Sequence, residues 1–145
     1  MSKELFWLTL TTSMTGLFWL PYILDRIMVR GLMGAMANPS PSAPPQSRWA
    51  ERQMRAHTNA VENLVVFAPL VLTLNALGIS TSATATACAV FFWARLAHYL
   101  VFTFGIPVVR TLSFAVGFAA QAVLVLTILK LIRRCAIGGR AAEKQ

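Results

Sequence analysis

Glu51–Asn63 reads ERQMRAHTNAVEN, and it passes without a break into Leu64–Leu74, LVVFAPLVLTL. No glycine or proline marks the join, so a polar stretch and an apolar one share a single helical run. At about 100° per residue, Arg52, Arg55, Asn59 and Glu62 fall within roughly 80° of arc. Asn63 borders that stripe, while Met54, Ala60 and Val61 point elsewhere. The stretch is therefore one polar face entering an apolar helix.

The rest of the chain says what that helix enters. Of 145 residues, 57% are hydrophobic and only 12% are charged, about half the charged share of a soluble domain. Runs of about 20 apolar residues cross the hydrocarbon core as helices. Four such runs are expected, over about 5–24, 47–77, 80–104 and 107–132, and barrel strands are excluded by their length and lack of alternation. The reading is an all-α membrane protein, a single domain of four transmembrane helices, multi-pass and integral to the membrane. The first run is not a signal peptide: it is too long, and Pro21, Tyr22 and Asp25 follow it rather than a small-residue cleavage site. No lipidation signal is present.

Asp25–Arg48 carries GLMGAMANPSPSAPPQS and is expected as an irregular polar loop, about 25–46. Ser47 is the expected N-cap of the next helix. Gly78 and Gly105-Ile106-Pro107 are expected as the tight turns before the third and fourth helices. The net charge of +8 would indicate nucleic acid in a soluble protein. Here it fits basic residues that flank membrane helices and meet anionic head groups, as in the tail Lys130, Arg133, Arg134, Arg140 and Lys144. Cys88 and Cys135 lack partners at metal spacing, and His57 and His98 lie on different helices, so no metal is expected. Charge flanking the helices is nearly balanced and does not set orientation.

A charged residue near the centre of a membrane helix costs about 2.5–3.5 kcal/mol on the insertion scale, and such residues mark function by default. Glu62 is the deepest carboxylate. The third run adds Arg95, His98 and Phe102 on one face, and Arg110 opens the fourth. Arginines grip carboxylates with a planar fork, a glutamate on the same face wants a cation, and Asn59 both donates and accepts. A small peptide-like zwitterion with carboxylates and an ammonium suits that set. Glutathione has this charge pattern, and so do other zwitterions. An Arg55–Glu62 or interhelix ion pair that only fixes packing, a small proton-coupled transporter using Glu62, and a non-catalytic membrane protein remain open on the residues alone.

ERQMRAHTNAVEN with its apolar continuation resembles the signature of the MAPEG family, the membrane-associated proteins of eicosanoid and glutathione metabolism. ARLAHYLVF at Ala94–Phe102 and PVVRTLSF at Pro107–Phe114 resemble the third- and fourth-helix motifs of the same family. The resemblance covers the whole chain. It implies a homotrimer of four-helix protomers with glutathione between protomers, and a first loop facing the cytoplasm. It also implies glutathione-binding roles for Arg55, Asn59, Glu62, Asn63, Arg95, His98 and Arg30, and a thiolate-stabilising role for Arg110. Phe102 stands where several eicosanoid-converting members have tyrosine. The expected activity is therefore a glutathione transferase or peroxidase acting on lipophilic electrophiles or hydroperoxides, not a specialised leukotriene or prostaglandin synthase.

Overall fold

A computed structural model describes the backbone of residues 2–142 and the side chains of residues 2–133. Five helices follow one another: α1 Lys3–Leu17, α2 Leu20–Met36, α3 Arg48–Ala76, α4 Ser82–Phe104 and α5 Pro107–Ala142. Three of them, counting Pro107–Arg133 for the last, are long and apolar enough to cross a membrane: α3, α4 and α5. Their outward faces carry large apolar side chains such as Val65, Trp93, Phe104 and Phe118, as expected where the surrounding solvent is hydrocarbon.

The first expected helix is two helices. Pro21 at the start of α2 has no N–H for the carbonyl one turn back, so the helix is interrupted at Phe18–Trp19. Two contacts pin the break. Tyr99 Oη donates to the Phe18 carbonyl at 3.0 Å, and the Phe18 and Tyr99 rings stack at 3.6 Å. Tyr22 Oη and His57 Nδ1 hydrogen-bond at 3.0 Å, tying α2 to α3.

The expected loop also begins later than the sequence reading put it. Asp25–Arg30, DRIMVR, holds no breaker, and α2 runs on to Met36 with one non-helical residue, Gly31, at φ 70°. That left-handed conformation suits glycine. Residues 37–47 then fold back along α2. Arg30 Nε donates to the Pro44 carbonyl at 2.8 Å, Gln46 Nε2 to the Tyr22 carbonyl at 2.7 Å, and the Ser47 N–H to Asp25 Oδ2 at 3.1 Å. Ser47 is the N-cap of α3, as expected, but its side chain makes no capping bond.

Turn chemistry elsewhere matches the sequence reading. Thr81 and Thr84 form a reciprocal capping box at the start of α4. Gly105 ends α4 at φ 77°, and Pro107 opens α5. The N-terminal ends of α1 and α4 are joined by Glu4, which is 1% exposed. Its carboxylate accepts from Ser80 Oγ at 3.0 Å and from Thr84 Oγ1.

The core divides into two apolar clusters. One joins Leu8, Phe67, Val71, Leu74, Cys88, Phe91 and Leu124, with Phe67 and Phe91 stacked at 3.9 Å. The other joins Phe18, Ala56, Ala60 and Tyr99. Along α3 and α4 the interval between them holds Asn63, Arg95 and His98, with Asn59 at its border beside Ala60, so a polar layer sits between two apolar ones. Lys130 and Arg133 of the basic tail are exposed. The side chains of Arg134, Cys135, Arg140 and Lys144 lie outside the described residues.

Candidate functional site

The buried face of α3 carries Gln53, Ala56, Ala60, Phe67, Val71 and Leu74. At about 100° per residue, the polar stripe lies roughly 110° around the helix from that face. Its members divide accordingly. Arg55 and Glu62 are exposed, while Arg52, Asn59 and Asn63 are half-buried. Arg52 is held by the end of α4, where its Nε donates to the Thr103 carbonyl at 2.8 Å. Two helical turns separate Arg55 from Glu62, about 10 Å along the axis.

Arg95 is the centre of the polar layer and is 1% exposed. Its partners are neutral oxygens: Asn59 Oδ1 at 3.4 Å, the Phe114 carbonyl at 3.2 Å and the Ser113 carbonyl at 3.4 Å. Its guanidinium lies over the rings of Phe91 and Phe114, 5.6 and 5.2 Å from their centroids. Arg95 Nε has no partner, which is uncommon for a buried charged donor. Gly117 makes the approach to α5 feasible: a Cβ there would lie 2.5 Å from Arg95 Nη2.

Asn63 Nδ2 donates to the Asn59 carbonyl at 2.9 Å. The Asn63 carbonyl accepts from Gln121 Nε2 at 3.0 Å. Gln121 and Gly117 are parts of this layer that the sequence reading missed. A signal for Gln121 existed, since it is the lone amide in the apolar run of α5. Gly117 had none, because only the packed position of Arg95 gives it meaning.

His98 is buried, with its ring 5.7 Å from Phe102 and 6.1 Å from Phe114. Arg110, half-buried one turn into α5, has its guanidinium 4.7 Å from the Phe102 centroid. Tyr99, three residues before Phe102, faces α1 and spends its hydroxyl on the Phe18 carbonyl.

The structure thus gathers Asn59, Asn63, Arg95 and His98 in one layer, with Arg110 beside it through Phe102. Arg55 and Glu62 line the open edge of the same α3 stripe. Arg30 is engaged with the 37–47 segment. On the outer side of α4 and α5 an apolar groove of about 630 Å³ is lined by Thr86, Val90, Val116, Ala119 and Val123. It shares Val90 and Val116 with a second hollow that reaches Ala97 and Ser113, and Ser113 Oγ donates to the Arg110 carbonyl at 2.9 Å. Among the described residues, no three His, Cys, Asp or Glu side chains group so as to hold a metal.

An all-helical bundle with apolar outward surfaces and a polar layer built on buried Arg95 and half-buried Asn59 and Asn63 defines an integral membrane protein with a polar layer inside its bundle. Comparison with known families makes the assignment specific. The MAPEG family model matches residues 6–130, and the chain belongs to that family, which includes glutathione transferases and related membrane proteins. A search of curated proteins finds no match.

Proposed function

We propose that this protein is a glutathione-dependent membrane transferase or peroxidase, working as a homotrimer. The observation that carries the reading is the α3 stripe. Arg55 and Glu62 stand exposed on a helix whose inner face is packed, while Asn59 of the same stripe reaches a buried arginine whose Nε lacks a partner. A ligand with carboxylates and an ammonium, lying along α3 against a neighbouring protomer, would use each of these groups. Arg55 and Arg95 suit its carboxylates, Glu62 its ammonium, and Asn59 and Asn63 its amides. His98 supports the layer from within. Arg30, just before the Gly31 interruption of α2, spends its Nε on the Pro44 carbonyl and would offer the ligand its remaining donors.

Arg110 is the residue for the sulfur. A thiol of ordinary pKa near 8.5 is only a few per cent ionised at pH 7, and lowering it by about two units takes roughly 2.7 kcal/mol. One charge-assisted hydrogen bond supplies about 1.5–3 kcal/mol, so a single arginine suffices. The thiolate attacks the electrophilic atom of a lipophilic substrate that arrives along the apolar α4–α5 groove, adding to it or displacing its leaving group. With a hydroperoxide it attacks the terminal oxygen and releases the alcohol, and a second glutathione converts the sulfenic acid to disulfide and water. In this reading α1 and the first turn of α2, about residues 5–24, make the fourth membrane crossing, Asp25 lies at its edge, and the 37–47 segment faces the cytoplasm.

The test is Arg110→Ala in purified full-length protein. Glutathione binding should persist, while ultraviolet absorbance of the bound thiolate at pH 7 falls to a few per cent and conjugation of a model electrophile is lost. Unchanged turnover in this variant removes the thiolate assignment. Proton-coupled transport in vesicles that disappears with Glu62→Gln would favour a transporter instead.

A further inference from the structure

The Arg110–Phe102 contact does more than fill space. Gly105 ends α4 in the left-handed conformation, and Pro107 starts α5 at once. This tight reversal lays the first turn of α5 over the last turn of α4, which puts Arg110 above Phe102 with Cζ 4.7 Å from the ring centroid. Guanidinium groups within about 6 Å of a ring face are attracted by its quadrupole. The ring itself is fixed. His98 meets it at an interplanar angle of 73°, and it packs against the Phe18–Ala56–Ala60–Tyr99 cluster. Arg95 is held in the same manner between Phe91 and Phe114. Ring faces thus orient cations twice in this bundle.

We propose that Phe102 is a positioning residue whose ring face holds the Arg110 guanidinium in place to meet an anionic ligand atom. The inference rests on the glutathione reading of the site. A half-buried arginine on a flexible stem would otherwise turn toward water, and the ring restricts it at no cost in polar desolvation. A phenyl face suffices for this, so the absence of a hydroxyl at position 102 is compatible with an active Arg110.

The test follows glutathione thiolate by ultraviolet absorbance across pH, with full-length protein in detergent and millimolar glutathione. Phe102→Leu should raise the apparent thiol pKa by about 0.4–0.7 unit from its lowered value near 6.5, so that thiolate at pH 7 falls from roughly three-quarters of the bound glutathione to about 40–55%. Phe102→Tyr and Phe102→Trp should stay near wild type. Stepwise ring fluorination of Phe102 drains the quadrupole with little change of shape, and thiolate should decline with each fluorine. That series also carries the test if Phe102→Leu fails to fold. Wild-type thiolate that is indifferent to fluorination assigns the ring to packing and overturns the inference alone. Wild-type protein that forms no thiolate overturns the glutathione reading and the inference with it.

Discussion

Gly117→Ala is the sharpest probe of the buried layer. The added Cβ would lie 2.5 Å from Arg95 Nη2, 2.9 Å from Nε and 3.0 Å from Cζ, so the guanidinium must leave the α5 carbonyls. It gives up Nη2 contacts to Phe114 and Ser113 at 3.2 and 3.4 Å. A hydrogen bond from a charged donor contributes about 1.5–3 kcal/mol, and these long ones together lie near the upper end of one such bond. Against that loss stands a gain of about 0.5–1 kcal/mol from replacing glycine within a helix. The expected net destabilisation is about 2 kcal/mol, read from the unfolding midpoint in mixed detergent micelles. Arg95→Met vacates the contested space, so Gly117→Ala in that background should be neutral or stabilising. The double-mutant cycle should return a coupling of about 2–3 kcal/mol. A Gly117→Ala protein as stable as wild type, or additive single effects, would refute the packing argument.

Two further outcomes follow from the polar anchors. Burial raises the Asp25 carboxyl, but hydrogen bonds from Ser47 and Gln46 outweigh it and hold the group below its ordinary 3.8. Its stabilisation is therefore complete above that value and lost as pH falls through the folded pKa. Asp25→Asn should cost about 1–2 kcal/mol at pH 7 and flatten the acid limb of unfolding midpoint against pH. Thr84→Val removes both a donor to Glu4 and the acceptor for the Thr81 N–H, which is 2.9 Å away. It should cost about 2–3 kcal/mol in thermal unfolding, with Thr84→Ser retaining most of the stability.

Much of this molecule was legible in its residues. Apolar runs bounded by Gly78 and Gly105-Ile106-Pro107 located α3, α4 and α5, because in a membrane every backbone group must be satisfied within its own helix. The three–four spacing of Arg55, Asn59 and Glu62 identified a polar stripe, and Arg95 a buried cation, because periodicity is a local property. The α1–α2 break was harder to read. Pro21 signals an interruption, but a proline near the end of an apolar run reads equally well as its terminus. The helix Asp25–Arg30 was absorbed into a loop whose Gly- and Pro-rich composition begins only at Gly31.

Partners across the bundle belong to tertiary structure alone. Nothing local tells Arg95 to reach over Gly117 to the Ser113 and Phe114 carbonyls, or Glu4 to cap α4 from the far end of the chain. Nor does spacing decide between Tyr99 and Phe102. Both sit near one face of α4, and only the approach of α1 on one side and of Arg110 on the other separates their roles. Helical periodicity determined which side chains share a face. Packing of α1, α3 and α5 around α4 decided which of those faces meet, since that depends on how the turns direct the chain and not on any residue's own preference.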